Sequence, residues 1–123
     1  MSILDNLYHY RFKVERCIDG DTIVGKLDKG RKNFDEDIQI RLLGIQAPEI
    51  NKAKTLDEEV RGIVSKTFLE TMILDKVVVV KTHKEKNDDS FGRMLGDVYL
   101  PGEPDVHINQ LMIQNGYAIP YKK

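Results

Sequence analysis

The sequence has a single cysteine, Cys17, so it has no internal disulfide framework. Placed in an alternating stretch, Cys17 reads as a small buried apolar residue of a strand. No run approaches about 18 consecutive apolar residues, which excludes a membrane-spanning helix. Neither sign of charge dominates: 19 basic residues face 20 acidic ones, for a formal net charge of −1. That excludes a strongly basic nucleic-acid coat, and any anion binding has to come from local clusters. The histidines, His9, His83 and His107, are scattered, with no His-x₃-His spacing and no cysteine pairing. That spacing predicts no zinc site. No serine stands in a nucleophile-elbow context, so a Ser-His-Asp arrangement has no support. There is no internal repeat and no low-complexity tract. Met1 to Asn6 offers neither a basic n-region nor an apolar core, so no secretory signal is expected and the cytoplasm is the default compartment.

What is present is one domain's worth of chain: 123 residues, 41% hydrophobic and 32% charged. Residues 8–18 alternate with period 2, with Tyr8, Tyr10, Phe12 and Val14 on one face, which predicts a half-buried strand. Asp19-Gly20-Asp21 is a turn, and Thr22 to Leu27 a second strand, so the two form a hairpin. Ile38 to Ile45 reads as a third strand that stops before Pro48. The period then changes. Leu56, Val60, Ile63, Val64, Thr67, Phe68 and Met72 fall at helical spacing, and Thr55 with Glu58 resembles a capping box. The spacing predicts a helix over 56–73, with that apolar stripe as its core face. Val77 to Val80 reads as a strand buried on both sides, Lys84 to Ser90 as a charged loop, and Arg93 to Leu100 as the fifth strand. A short helix over 107–115 stops at Asn115-Gly116. The order β-β-β-α-β-β-α suits an α+β, mainly β, fold: a five-stranded barrel of the OB type with two appended helices.

Four polar groups interrupt this pattern. Asp19-Gly20-Asp21-Thr22 sets two carboxylates, hard ligands for Ca²⁺ or Mg²⁺, in a turn that alone is a plain hairpin connection. Arg41 lies inside an apolar strand, and alone reads as an outward-facing arginine. Glu49 follows Ala47-Pro48 just past that strand, and Arg93 follows Phe91-Gly92 at the opening of another. Together, two arginines and two acids at strand ends make a workable phosphodiester site. Arginine grips phosphate with two prongs and stays charged. A cation and two guanidiniums stabilise charge on a pentacoordinate phosphorus, and a glutamate can orient or deprotonate a water.

Ile18-Asp19-Gly20-Asp21-Thr22, then Arg41-Leu42-Leu43-Gly44-Ile45-Gln46-Ala47-Pro48-Glu49, then Asp89-Ser90-Phe91-Gly92-Arg93-Met94-Leu95-Gly96 resemble, in order and spacing, three signature blocks of the staphylococcal nuclease family. Ile108-Asn109-Gln110-Leu111 through Asn115-Gly116-Tyr117-Ala118 resembles the family's second helix and the segment after it. The resemblance covers about residues 10–121 of a single domain over 1–123, with its core at about 8–121. It implies an OB-fold barrel that hydrolyses DNA and RNA with one Ca²⁺ ion, cutting the 5′ P–O bond to leave 3′-phosphates. It implies that Asp21 ligates the metal directly, with Gln46 and the backbone of Ala47 beside it, and that Asp19 and Thr22 stand behind these ligands. Arg41 and Arg93 would grip the phosphate, and Glu49 would be the general base. Asp89, Phe91, Lys84 and Tyr121 would touch substrate, Lys84 as part of a basic run with Lys81 and Lys86.

The chain departs from the family where it has Gln46 in place of the usual acidic ligand, Ala47 where threonine is common, and Phe91 where tyrosine is usual. It also stops at Lys123, before the third helix of longer members. The expected protein is a monomer acting on single-stranded or unwound DNA and RNA, with no membrane partner. Two other classes remain beside the nuclease: a nucleic-acid-binding module impaired by Gln46, and a protein-interaction scaffold on the same fold.

Overall fold

A computed structural model describes residues 9–82 and 94–121. Its barrel starts from the alternating stretch, strand β1, His9–Asp19. Phe12 and Val14 point into the core, and then a bulge between Val14 and Arg16 resets the phase so that Cys17 is the next buried residue. Bulges bend and twist a strand, and here the bend lets β1 serve two neighbours. It pairs antiparallel with β2, Thr22–Asp28, along most of its length, and with β5, Val77–Thr82, through His9 to Lys13. Strand β3, Phe34–Leu42, pairs antiparallel with β2. It also pairs parallel with β6, Met94–Leu100, which is itself antiparallel to β5. The ring β3-β2-β1-β5-β6 therefore closes on itself, a five-stranded OB-type barrel.

The remaining elements are small. Strand β4, Ile45–Gln46, pairs with β8, Ile119–Pro120, and β7, Val106–His107, pairs with the end of β6. Helix α1 spans Leu56–Ile73, and helix α2 spans Ile108–Gln114. The core combines Phe12, Val14, Ile40, Leu42, Val78 and Val98 of the barrel with Leu69 and Ile73 of α1 and Ile108 and Met112 of α2. Among the described residues no helix is long and apolar enough to cross a membrane.

Several expectations need correction. The third strand starts at Phe34, not Ile38, and breaks after Leu42. Gly44 sits at φ 81°, a left-handed turn that glycine adopts without steric cost, and it splits the expected strand into β3 and β4. The strand at 77–82 is not buried on both sides: Val78, Val80 and Thr82 are buried, Val77 is exposed and Val79 lies between. Antiparallel neighbours on both edges leave β5 one face toward the single core and one toward water.

The helix over 56–73 is where the spacing put it, and Thr55 Oγ1 accepts the Glu58 N–H at 3.1 Å. The reciprocal bond goes to Lys54, whose N–H reaches Glu58 Oε2 at 3.3 Å, so the capping box is shifted by one residue. The predicted core stripe is wrong for the first half of α1: Leu56, Val60, Ile63 and Val64 are exposed. The buried face is Gly62, Ser65, Leu69 and Ile73. Small residues at the first two of these positions allow a close approach, Gly62 to the chain at Pro48–Ile50 and Ser65 to the Gly20 turn of the barrel, and close packing selects that face over the more apolar one.

Candidate active site

The β1–β2 hairpin pairs Asp19 with Thr22, and the β2–β3 ladder pairs Thr22 with Arg41. A tight turn and the antiparallel register of the β2–β3 ladder thus bring Asp21 and Arg41 to one end of the barrel. The Leu42 N–H donates to the Asp21 carbonyl at 2.8 Å and fixes the turn against β3. The Asp21 carboxylate is buried and engaged at both oxygens. Its Oδ2 accepts from Arg41 Nη1 at 2.9 Å and from the Ala47 N–H at 2.9 Å, while Oδ1 accepts from Thr22 Oγ1 at 2.9 Å. Arg41 is largely enclosed as well. Its Nη2 donates to the Ile45 carbonyl at 3.3 Å, and its guanidinium carbon stands 5.7 Å from the Tyr121 ring centroid. Tyr121 is held there by its own N–H, which donates to the Gly44 carbonyl at 2.8 Å.

Asp19 stands beside this pair. Its carboxyl is pushed above the ordinary aspartate range, first by burial and then by the charges of Asp21 and Glu49; the Ile50 N–H opposes the shift. One of its oxygens, Oδ1, is buried without a hydrogen-bond partner. A carboxylate whose folded pKa is raised above the unfolded value favours folding only while protonated, so its contribution is lost as pH rises through the folded pKa. Asp19→Asn is therefore expected to raise stability at neutral pH, with the gain disappearing below the ordinary aspartate pKa. Urea unfolding of both proteins at two pH values measures this. An unchanged or lower midpoint for the variant at neutral pH would remove the electrostatic strain assigned to Asp19.

Glu49 is exposed, on the segment between β4 and α1. That segment is pressed onto the helix at Gly62, where an added Cβ would lie 3.0 Å from the Pro48 and Glu49 carbonyl oxygens. Glycine suits this close approach of two backbones, where a larger side chain would need its neighbours to give. Ala47 is buried and Gln46 exposed. Gln46 with Ala47 and Pro48 borders a groove of about 470 Å³, whose other wall is Val64, Tyr117 and Ile119. Tyr117 packs its ring on Phe68, with centroids 4.3 Å apart.

The structure thus gathers Asp19, Asp21, Thr22, Arg41, Ala47 and the Glu49 segment at one end of the barrel, with Tyr121 against Arg41. Arg93, Asp89, Phe91 and Lys84 lie outside the described residues. Among the described residues no group of three or more His, Cys, Asp or Glu side chains is arranged to hold a metal ion. A hard cation nevertheless suits the donors present. They are oxygens, one of them the unpartnered Asp19 Oδ1, and the repulsion among Asp19, Asp21 and Glu49 is of the kind a cation relieves.

Asn109 stands in the block that resembles the family's second helix, but motif reading gives it no task. It is buried, donates to the Leu43 carbonyl at 2.8 Å and the Gly96 carbonyl at 3.2 Å, and accepts the Val98 N–H at 2.8 Å. It therefore rivets α2 to the seam between β3 and β6, next to Arg41. The signal was an amide on the inward face of a short helix, three residues before buried Met112.

A family model described as "Staphylococcal nuclease homologue" matches residues 39–123. An uncharacterized endonuclease of Escherichia coli O157:H7 is 33% identical over 111 residues, covering 90% of this chain and 61% of that protein. A micrococcal nuclease of Shigella flexneri is 32% identical over 119 residues, covering 92% of this chain and 59% of that protein. An uncharacterized protein of Methanocaldococcus jannaschii is 28% identical over 139 residues, covering 98% and 63%. The chain thus spans about three-fifths of the length of these curated relatives.

Proposed function

The chain belongs to the staphylococcal nuclease family, and on that footing we propose that it is a calcium-dependent phosphodiesterase that hydrolyses DNA and RNA to 3′-phosphate products. The observation that carries this reading is the buried Asp21–Arg41 pair, flanked by Asp19 and the Glu49 segment, at one end of an OB barrel. Asp21 would hold the cation, with Gln46 Oε1, the Ala47 carbonyl and water completing an oxygen shell; Asp19, which the resemblance sets behind these ligands, would join them through its unpartnered Oδ1. When bound, Ca²⁺ would supply positive charge to the phosphate and lower the pKa of a nearby water.

The chain's own residues do the rest. Glu49, exposed on a segment braced by α1, orients a water and takes its proton as the water oxygen bonds to phosphorus. The bond from phosphorus to the 5′ oxygen breaks, and that oxygen takes a proton from solvent water as it leaves as a hydroxyl, while Glu49 returns its own proton to solvent. Arg41 binds the non-bridging oxygens with two parallel N–H donors, as Arg93 does by the family resemblance. Tyr121 backs the Arg41 guanidinium through its ring face. End-labelled single-stranded oligonucleotides of DNA and RNA test this reading: in Ca²⁺ both are expected to yield products sensitive to 3′-phosphatase. Products with 5′-phosphates would overturn the assigned bond.

A second reading, a nucleic-acid-binding module with impaired catalysis, is favoured by the neutral Gln46. Gln46→Asp separates the two. It restores a carboxylate at the family's ligand position, and a charged contact there is worth about 1.5–3 kcal/mol. Calcium affinity, and cleavage at limiting Ca²⁺, are expected to rise by about 10-fold or more. A calcium titration with no gain and no cleavage would favour the binding module.

A further inference from the structure

Asp21 and Arg41 have separate tasks in the reading above, yet each is the other's partner. Oδ2 of Asp21 accepts two hydrogen bonds, from the Ala47 N–H and from Arg41, which uses both of its lone pairs. The Ala47 N–H is fixed by the backbone. Thr22 Oγ1 is a neutral hydroxyl that rotates. Arg41 is the group on this carboxylate that carries a cation's sign of charge and can leave by turning a side chain.

Resting on the phosphodiesterase reading, we propose that the Asp21–Arg41 pair is a latch: Arg41 occupies the carboxylate that a divalent cation needs, and engagement of the site requires it to turn away. Oδ1 keeps one lone pair, but a divalent cation bound there would lie beside the guanidinium, and like charges at a buried carboxylate repel. Arg41 has somewhere to go. The Ile45 carbonyl and the Tyr121 ring hold the guanidinium from sides other than Asp21, so it can release the carboxylate and stay in the site. Turned off Asp21, its donors are free for a phosphate. The latch makes the protein a poor calcium binder when no phosphate is present, and by linkage a phosphate that captures Arg41 tightens calcium binding. A wholly separate requirement for each ligand would not need the two side chains to be paired.

Calcium titration by calorimetry, without nucleic acid, tests this on the wild type and Arg41→Gln, which removes the charge. The variant is expected to bind Ca²⁺ about 10-fold or more tightly, because a charge-assisted contact no longer competes for Asp21. A second measurement needs no variant. In the wild type, the arginine side-chain NMR signals of Arg41 are expected to show hindered rotation without Ca²⁺ and faster rotation on saturation, when Asp21 is lost as an anchor and the Ile45 carbonyl and Tyr121 remain. Equal or weaker binding by a folded Arg41→Gln overturns the latch while leaving the phosphodiesterase reading intact. Should that variant not fold, Arg41 signals unchanged through Ca²⁺ saturation of the wild type overturn it. If neither folded protein takes up Ca²⁺ at all, the calcium-dependent function falls along with the latch.

Discussion

Arg41→Lys is expected to cut phosphodiester cleavage by about 10²- to 10³-fold, the loss typical of removing one transition-state donor. Lysine keeps the positive charge but replaces a planar fork with a single point of contact, so it cannot hold two phosphate oxygens at once. It is the informative substitution because it spares the fold. Arg41→Ala leaves the buried Asp21 carboxylate without its ion pair, and breaking a buried pair from one side costs about 3–5 kcal/mol. A small domain holds only about 5–15 kcal/mol in all. Alanine thus confounds lost chemistry with lost folding, whereas lysine still faces Asp21 with a cation. Steady-state cleavage of a single-stranded oligonucleotide, beside a urea midpoint for the same samples, measures both. Cleavage by Arg41→Lys at the wild-type rate would dismiss the two-pronged role.

The second large effect falls on a residue that touches no substrate. Asn109→Leu is expected to cost about 2–5 kcal/mol, because the Val98 N–H and the Leu43 carbonyl lose a buried partner. The Gly96 carbonyl suffers less, since it also accepts the Leu43 N–H at 2.9 Å. Leucine fills comparable volume, so the loss reports the hydrogen bonds rather than a cavity. Cleavage should fall too, because the Leu43–Gly96 contact closes the seam at the end of β3 that bears Arg41. Urea unfolding with an unchanged m-value gives the stability term. A variant as stable as the wild type would mean that α2 is held to the barrel mainly by Ile108 and Met112.

How much of the fold and site was legible in the sequence depends on whether the information was local. The bounds of α1 were readable because Thr55, Glu58 and a 3.6-residue period are all local signals. Its buried face was not. Leu56, Val60, Ile63 and Val64 outrank Gly62 and Ser65 on hydrophobicity, yet contact distance favours the small residues, and that is a property of the partner surface. The break at Gly44 was missed because one glycine inside a strand pattern does not by itself say whether the chain bulges, turns or runs on. Asp19, Asp21, Arg41 and Glu49 stood out one by one as polar interruptions. That Asp21 and Arg41 meet follows from the Thr22–Arg41 register, and register is fixed by the whole ladder rather than by either segment. The task of Asn109 was not legible because three buried bonds to another element leave no trace beyond one amide among apolar neighbours.

The central claim is that this end of the barrel is a calcium-dependent phosphodiester site. Following cleavage of a single-stranded DNA oligonucleotide by the wild type through one cycle of calcium, chelator and calcium again tests it most directly. The account predicts cleavage that stops on chelation and resumes at the original rate when Ca²⁺ is restored, the fold being unchanged throughout. Cleavage that continues in chelator, or none at saturating Ca²⁺ from a folded protein, would contradict it.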